Sequence, residues 1–434
     1  MTAPSGLQLE VFPDVGRALV ATRDFAIGDL ILSETPFFQV PTTLLQKSAL
    51  NKQLADVIAK VAEEFPDTGV PVSVQANLLA DYVALSSRKR DELVNSFASD
   101  TTEDHILARF TSKVASAVHE SITELQSFST NELQKLLLVM IINAAEYVQR
   151  NESFVGLYKW GSKLAHSCSP KSVLMITEKQ MSHYALQPIK AGDIVTTNYI
   201  IRDDIRACWT TPLRRRKLLD TKSFLCKCER CTAPDLNRTT KCPKCSQPTA
   251  TPSDPNHTQT ETWTCSNCSS IFTTDEMPTR MEQQLQTSVI EATAVFDTGL
   301  PTPQSFQKAM AKMDVVHKMA TTVLGSEHWL SNWPKPFIAN KLSRTDMEAA
   351  ARLMIEWVEW SERGILPFYP NIHVRHVLSS GKYCAKSMVE DRFYGAVVKC
   401  RPWCKAELLG HPQMVAIAFA ALKEAERKAF GEKA

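Results

Sequence analysis

Residues 224–231 read FLCKCERC, and the three cysteines in this stretch have the close spacing of metal ligands. Cys226, Cys228 and Cys231 would leave one position of a tetrahedral zinc site to be filled. A histidine, a carboxylate or a distant cysteine could fill it, and Cys168 in the sequence LAHSCSP is one candidate. The spacing predicts a metal site and leaves its fourth ligand open.

A second cysteine motif lies directly downstream. Cys242-x-x-Cys245 and Cys265-x-x-Cys268 form two knuckles that can close a site of four sulfur atoms around zinc. A complete set of four thiolates leaves no open position for a substrate, so this zinc would be structural. The alternative is four free or oxidised cysteines.

The bulk composition is that of an ordinary globular protein. The chain has 434 residues, of which 44% are hydrophobic and 22% charged, and its net charge is +2. This near-balance gives no general attraction to nucleic acid or to an anionic membrane. The opening sequence MTAPSGLQLE lacks the layout of a secretory signal, so we expect an intracellular protein of the cytoplasm or nucleus. In that setting, closely paired cysteines are typical of metal sites rather than disulfides.

Hydrophobic patterning divides the chain into alternating strand-rich and helical parts. Short apolar runs between glycines and prolines predict strands in residues 7–41 and a return to short strands and turns in residues 151–231. Apolar residues at helical spacing predict helices in residues 42–150 and from Met277 onward. The fold class is therefore predicted to be α+β, with an all-α, repeat-like C-terminal domain.

Four segments in order resemble the SET domain of lysine methyltransferases, in its SET/MYND (SMYD)-like branch. They are VGRALVATRDFAIGDLIL from Val15, VGLYKWGSKLAHSCSPKS from Val155, AGDIVTTNYI from Ala191 and RRRKLLDTKSFLCKCERC from Arg214. The last of these is similar to the cysteine-rich post-SET element of the family.

This resemblance implies a domain plan. The SET domain would be split by a helical insert, and the post-SET zinc element and the zinc-ribbon-like segment would precede a TPR-like helical domain. The expected ranges, in that order, are 1–41 and 151–211 for the SET domain, 42–150 for the insert, 212–240, 241–276 and 277–434.

The resemblance also implies roles for single residues. Tyr199 matches the catalytic tyrosine, and Cys168 matches the fourth zinc ligand beside Cys226, Cys228 and Cys231. The residues that correspond to the S-adenosylmethionine site are Gly16, Arg17, Ala18, Ala165, His166 and Phe224. The function that the resemblance implies is S-adenosylmethionine-dependent N-methylation of a lysine in a protein substrate. From the resemblance together with the cysteine spacings and the balanced charge, we expect a monomer with two structural zinc ions and no direct binding to membranes or nucleic acid.

The chain departs from the family pattern at several positions. Ala165 and Lys171 stand where the family has asparagine, and Ala18 stands where it has glycine. Residues 42–150 contain no cysteine, so no MYND zinc finger can form there. Ala165 and Lys171 favour an alternative function, a weak or inactive SET scaffold that binds partner proteins. A nucleic-acid-binding zinc protein is a third possibility, which rests on the cysteine knuckles and a basic run alone.

Three further features have simple structural interpretations. The basic run from Arg214 to Lys217 is predicted to be a solvated helix face. The tail cysteines are predicted to be buried free thiols, although a metal site with His411 is an alternative; they are Cys384, Cys400 and Cys404. Four tail tryptophans are predicted to anchor helix packing: Trp329, Trp333, Trp357 and Trp360.

Overall fold

The structure, a computed structural model, describes residues 3–45, 49–200, 204–253, 261–297 and 301–430. The chain divides into two compact units. Unit 1 contains residues 1–165, 172–197 and 216–225, and unit 2 contains residues 166–171, 198–215 and 226–434. Short stretches from the middle of the chain therefore belong to the same unit as the C-terminal half.

Short antiparallel strands occupy the two strand-rich parts of the first half of the chain. They are β1 (Leu7–Phe12), β2 (Gly16–Ala21), β3 (Leu30–Glu34), β4 (Phe38–Pro41), β5 (Ala145–Gln149), β6 (Glu152–Leu157), β7 (Ala165–His166), β8 (Ser172–Thr177), β9 (Gln180–Ala185) and β10 (Thr196–Thr197). Within unit 1, β1 pairs with β2, β9 lies between β3 and β8, and β6 lies between β4 and β5. Bridges from Val20 to Ile194 and from Phe25 to Ile189 join β2 and the loop after it to the segment before β10.

The described residues of the insert between β4 and β5 form five α-helices. They are α1 (Ala49–Ala62), α2 (Val72–Ala84), α3 (Ser87–Ser96), α4 (Ile106–Ser121) and α5 (Thr130–Asn143). Their apolar faces form one buried cluster in which α1 packs on α2 and α4, and α4 packs on α5. Burial of these leucine, isoleucine and valine side chains is what stabilises the helices, since each is too short to be stable alone.

The cysteine-rich segment contains, in the part that the structure describes, three α-helices and a three-stranded sheet. The helices are α6 (Asp204–Cys208), α7 (Thr211–Lys222) and α8 (Glu229–Thr232), and the strands are β11 (Ala250–Ser253), β12 (Thr262–Cys265) and β13 (Ile271–Thr273). β12 lies between β11 and β13 and pairs antiparallel with both. We call residues 241–276 the ribbon.

The C-terminal part of unit 2 is helical throughout its described residues. Its helices are α9 (Thr279–Asp297), α10 (Pro303–Val323), α11 (Trp329–Asn332), α12 (Lys335–Leu342), α13 (Met347–Gly364), α14 (Pro370–Cys384), α15 (Glu390–Lys399), α16 (Ala406–Leu409) and α17 (Pro412–Phe430). Successive helices pack as pairs, α9 with α10 and α13 with both α12 and α14. The four tryptophans predicted as packing anchors are buried between these helices, as expected.

The ribbon is fixed to the C-terminal end of α10. The hydroxyl of Thr240 and the backbone N–H of Lys241 each donate to the carbonyl of Leu324 at 2.7 Å. The Lys241 amine donates to the carbonyl of Thr322 at 2.6 Å. These carbonyls have no partner within the helix, and a cation is favourable at this end of the helix dipole. Donors next to and within the ribbon therefore satisfy carbonyls that the end of α10 leaves without a partner.

A buried ionic cluster also connects the ribbon to α9. The Arg238 guanidinium donates to Glu282 of α9 at 2.7 Å and to Glu261 at 2.6 Å, and it stacks on the ring of Trp263 at 4.9 Å. His328, at the start of α11, donates its Nε2 hydrogen to Glu282 at 3.2 Å. Its Nδ1 accepts the backbone N–H of Leu330, which fixes this tautomer.

The fold agrees with the predicted α+β class and with a helical C-terminal region. One prediction was wrong in part, since residues 151–231 are not only strands and turns. They include α6, α7 and α8. Only the basic run within the twelve-residue α7 was predicted to be helical, because the apolar residues of α7 do not form a stripe and two of the four residues that it buries are arginines.

Candidate active site and metal clusters

Four cysteine sulfur atoms converge at the first predicted metal site. The Sγ atom of Cys168 lies 4.0 Å from that of Cys226 and 3.6 Å from that of Cys231, and all four ligand atoms, including that of Cys228, lie within 4.8 Å of one another. Four sulfurs bound to zinc at about 2.3 Å are separated by about 3.8 Å along each tetrahedral edge. The spacing fits a zinc ion and is far longer than a disulfide bond of about 2.05 Å.

Backbone and side-chain donors surround this cluster. The N–H of Cys168 donates to Cys228 Sγ at 3.3 Å, and the N–H of Cys228 donates to Cys226 Sγ at 3.5 Å. Arg214 donates from its guanidinium to Cys231 Sγ at 3.7 Å. Such donors favour the thiolate form, which is the form that binds metal. The donor set is therefore suited to a zinc tetrathiolate.

The ribbon carries the second cluster. The Sγ atoms of Cys242 and Cys268 are 3.7 Å apart, as are those of Cys245 and Cys265. In each knuckle the N–H of the second cysteine donates to the sulfur of the first, at 3.5 Å for Cys245 and 3.4 Å for Cys268. The side-chain amide of Asn267 donates to Cys245 Sγ at 3.4 Å. This cluster has the same tetrahedral spacing and is also compatible with zinc.

The two cysteine sets are the groups of three or more His, Cys, Asp or Glu side chains that could hold a metal among the described residues. Cys400 and Cys404 with His411 do not form such a group in the part of the chain that the structure describes. All three tail cysteines are buried, and burial raises the pKa of the Cys384 thiol to about 11 and that of Cys400 to about 12. The prediction of buried free thiols is confirmed.

Tyr199 and His166, predicted from different segments, lie side by side in unit 2. Their ring centroids are 5.1 Å apart, and the Tyr199 backbone N–H donates to His166 Nδ1 at 3.2 Å. The hydrogen of the neutral imidazole is then on Nε2, which lies 3.2 Å from Cys168 Sγ. Burial raises the pKa of the Tyr199 hydroxyl to about 12, so this group is protonated at neutral pH. His166 thus links the first cysteine cluster to the Tyr199 segment.

The other predicted cofactor residues belong to unit 1. Gly16 begins β2 with a φ of +74°, and a side chain added there would meet no atom within 4 Å. Arg17 follows it, and Ala18 is fully buried with a φ outside the left-handed region. The Ala18 methyl group is therefore accommodated without backbone strain. Ala165 is buried in β7, and Phe224 is half-buried in the loop between α7 and α8.

The basic run on α7 corrects one sequence interpretation. Arg214 is 0% exposed and Arg215 is 7% exposed, so half of the run is buried and not a solvated face. Arg215 donates to the backbone carbonyls of Cys226 and Cys231 at 3.2 and 3.0 Å. Arg216 conforms to the prediction, since it is exposed and pairs with Asp220 one turn on. The buried arginines bind the cysteine segment rather than an external anion.

Two more residues of this region were missed by sequence reasoning. Arg230 is buried, donates to the carbonyls of Cys168 at 3.3 Å and Ala207 at 3.1 Å, and stacks on the ring of Phe368 at 4.0 Å. The Tyr369 hydroxyl donates to the same Cys168 carbonyl at 2.7 Å. Arg230 lies inside the C-x-C-x-x-C motif, where its position was a possible signal, but nothing in the sequence around Tyr369 indicated its contact.

Comparison with known proteins identifies the domain. Residues 16–200 match the family model described as the SET domain, so the chain contains a SET domain. The matched range includes the second and third of the four resembling segments and all of the first except Val15. The cysteine-rich segment that resembles a post-SET element lies mostly beyond this range. The match is to the SET domain in general and does not distinguish the SMYD-like branch from others.

Curated relatives include SET-domain proteins from several organisms. A SET domain-containing protein of Acanthamoeba polyphaga mimivirus is 29% identical over 109 residues, which cover 25% of this chain and 39% of the relative. A SET domain-containing protein of Dictyostelium discoideum is 40% identical over 75 residues, 17% of each chain. The histone-lysine N-methyltransferase ASHR1 of Arabidopsis thaliana is 22% identical over 263 residues, 51% of this chain and 54% of the relative. The matches thus span about half the length of these relatives at most.

Similar solved structures include the SET domain of LSMT bound to lysine and AdoHcy, with 12% identity, coverage of 98% of this chain and 89% of that chain, and a TM-score of 0.30. Another is Rubisco LSMT bound to AdoMet, with 12% identity, coverage of 100% and 94%, and a TM-score of 0.30. Among the described residues, no helix has the length and apolar character needed to cross a membrane.

Proposed function

We propose that this protein is an S-adenosylmethionine-dependent protein-lysine N-methyltransferase. The observation that carries the proposal is the pairing of Tyr199 with His166 beside a four-cysteine cluster, in a chain that contains a SET domain. One matched relative is itself named a histone-lysine N-methyltransferase. A lysine of another protein would be the substrate, and we propose that the protein acts as a monomer.

Tyr199 would be the catalytic residue. S-adenosylmethionine would supply an activated methyl group, and the amine that receives it must be neutral, desolvated and aligned. A phenol whose pKa is raised to about 12 stays protonated at neutral pH, so it orients the amine by hydrogen bonding and does not act as a base. The rigid attachment of the Tyr199 backbone to His166 suits this orienting role.

The proposed cofactor residues are Gly16, Arg17, Ala18, Ala165, His166 and Phe224. The open space at Gly16 supports this assignment, because a ligand can approach the backbone closely only where no side chain or neighbour is in the way. Ala165 offers only a methyl group where an asparagine would offer a hydrogen-bonding amide. The lost bond would cost about 1–3 kcal/mol of cofactor affinity if its partner stays buried.

We propose that both cysteine clusters hold structural zinc, as post-SET element (residues 212–240) and zinc ribbon (residues 241–276). Each has four thiolates at tetrahedral spacing, which leaves no position for a substrate or water. The further proposed ranges are 1–41 and 151–211 for the SET domain, 42–150 for the insert and 277–434 for a TPR-like domain. This plan corresponds to a SMYD-like protein without the MYND finger.

The alternative is a SET scaffold that binds partner proteins without catalysis. Ala165 and Lys171 favour it, since both replace asparagines that the family motif contains. Tyr199 with its His166 partner and the complete cysteine cluster favour the enzyme.

The deciding experiment combines cofactor binding with methyl transfer. S-adenosylmethionine is titrated calorimetrically into zinc-loaded wild-type protein and into Ala165→Asn, and transfer of a radiolabelled methyl group to mixed core histones and to a cell extract is then measured. We expect the wild type to bind the cofactor and to label a protein, and Tyr199→Phe to bind equally but to label at least about 100-fold more slowly. Binding by Ala165→Asn but not by the wild type would overturn the enzyme proposal in favour of the scaffold.

A further inference from the structure

Tyr369 is buried at the N-terminus of α14, far along the chain from the SET motifs. Its hydroxyl donates to the backbone carbonyl of Cys168 at 2.7 Å and accepts a hydrogen bond from the side-chain amide of Asn198 at 2.8 Å. Only 2% of the residue is exposed. A single hydroxyl group of the helical region therefore contacts both the cysteine-ligand loop and the residue that precedes Tyr199.

Asn198 is held at both ends of its side chain. Its Nδ2 donates to the carbonyl of Ser167 at 3.1 Å as well as to Tyr369, and its Oδ1 accepts the backbone N–H of Ile200 at 2.8 Å. Tyr199 lies between Asn198 and Ile200 in the chain. The side-chain bonds of Asn198 therefore bracket the backbone of Tyr199 and tie it to the loop that contains Cys168.

Arg230 keeps Tyr369 in place. Its guanidinium stacks on the rings of Phe368 at 4.0 Å and Tyr369 at 5.3 Å, while donating to the Cys168 carbonyl at 3.3 Å. The ring of Tyr369 is thus oriented by stacking, which leaves its hydroxyl little freedom. Because all of these groups are buried or half-buried, water cannot readily replace a lost partner.

We propose that Tyr369 is a positioning residue for Tyr199. Its hydroxyl locks the Asn198–Ile200 segment onto the Ser167–Cys168 loop and so sets the place of the Tyr199 phenol. The catalytic importance of placing Tyr199 rests on the proposed function. The hydrogen bonds that join Tyr369 to Cys168 and Asn198 do not depend on it. Tyr369 belongs to the helical region, so this region would contribute a positioning residue to the chemistry of the SET domain.

The test compares Tyr369→Phe with Tyr383→Phe. Both tyrosines are buried residues at α14, and Tyr383 donates instead to Asn340 at 3.2 Å, within the helical region. Each variant loses one hydroxyl, but Tyr369→Phe loses two hydrogen bonds and Tyr383→Phe loses one, so the free energy of unfolding of both variants is measured alongside. Amide hydrogen exchange is followed by mass spectrometry in peptides that span residues 196–200, with zinc content measured in parallel.

We expect Tyr369→Phe to speed exchange at Tyr199 by about tenfold with full zinc content, and Tyr383→Phe to leave this peptide within twofold of the wild type. Equal exchange of the peptide in both variants would overturn the inference. In the methyl-transfer assay on core histones, Tyr369→Phe should lower kcat by about tenfold with an unchanged KM, which a merely structural role would not do. A wild type without activity would contradict the proposed function alone, since the exchange comparison would still decide the role of Tyr369.

Discussion

Arg214 donates a hydrogen bond to the sulfur of Cys231 at 3.7 Å, although the arginine is fully buried. It also donates to the Trp209 carbonyl at 2.5 Å and the Thr211 hydroxyl at 2.9 Å. Burial alone would lower its pKa, but the nearby thiolates of Cys231 and Cys168 and the carboxylate of Asp235 hold the pKa above its usual range. The arginine therefore remains a cation, and it offsets the negative charge of the cysteine cluster.

Replacement of this cation should be costly. Arg214→Met should lower the free energy of unfolding by on the order of 3 kcal/mol, because it leaves the thiolates without their charged partner. It should also speed the loss of zinc to a chelator. Arg216→Met is the matched control, since Arg216 is exposed two residues along the same helix and should have little effect. Urea unfolding of both variants measures the difference, and equal stabilities would contradict the assigned role of Arg214.

Metal content should follow the two cysteine clusters. We expect two zinc ions per chain in the wild type and one in either Cys226→Ser or Cys268→Ser, because each substitution removes a ligand from a different cluster. Cys384→Ala should retain both, since Cys384 is a buried thiol outside the clusters. Elemental analysis of purified variants provides the count. A full complement in Cys226→Ser would mean that the first cluster is not a zinc site.

Acid should weaken the attachment of the ribbon through Glu282. Burial alone would raise the pKa of Glu282, but the charge of Arg238 and the hydrogen bonds from His328 and Arg238 lower it to about 2. A carboxyl with a lowered pKa contributes stability above its unfolded pKa of 4.5, and this contribution is lost as the pH falls from 4.5 to 2. The loss should be on the order of 3 kcal/mol.

Unfolding measured between pH 5 and 3 checks this expectation. Glu282→Gln should be less stable at pH 5 but should lose less further stability on acidification than the wild type does. Glu291→Gln, on the same helix but in an exposed pair with Lys312, should keep the acid sensitivity of the wild type. Identical acid profiles of wild type and Glu282→Gln would show that the cluster is not the sensitive element.

Lys163 should make unit 1 more stable in mild alkali. Burial, with a contribution from Arg17, lowers the pKa of its amine to about 8, against 10.5 for a free lysine. Above pH 8 the folded state has released this proton while the unfolded state still binds it, so stability rises with pH up to about 10.5. The gain should be on the order of 3 kcal/mol.

The comparison of wild type with Lys163→Met at pH 7.5 and pH 10 isolates this effect. The variant should lack the alkaline gain, whereas Lys113→Met, which alters a surface pair with Glu64, should retain it. Unfolding by urea at each pH gives the stabilities. If Lys163→Met gained as much stability at pH 10 as the wild type does, the gain would come from another group.

The sequence predicted the elements whose signals are local. Glycines and prolines marked β1 to β3, helical spacing marked the insert and the C-terminal helices, and close cysteine spacings marked both metal-compatible clusters. The choice of Cys168 as a fourth ligand needed the family resemblance, because a partner 58 residues from Cys226 has no local signal. The structure brings the two sulfurs together as that resemblance implied.

The contacts of the buried arginines and of Tyr369 could not be predicted from local sequence patterns. The buried arginines of α7 look like a solvated basic run, because charge in a sequence does not reveal which carbonyls and thiolates will surround it. Tyr369 lies 201 residues from Cys168, and its hydroxyl has the same chemistry as that of any other tyrosine. Only the packing of unit 2 selects it, and packing is a property of the whole chain.

The hydrogen bonds of Thr240 and Lys241 to the end of α10 limit where the chain can be truncated without loss of structure. Gly325 approaches Pro248 so closely that an added β-carbon would lie 3.0 Å from the proline ring. The end of the helix and the ribbon are therefore tightly packed at this point. A chimera that transplanted α9–α17 without the ribbon would expose the carbonyls of Thr322 and Leu324. The helical region and the ribbon therefore depend on each other, and a truncation meant to isolate either one would leave hydrogen-bonding groups of the other without partners.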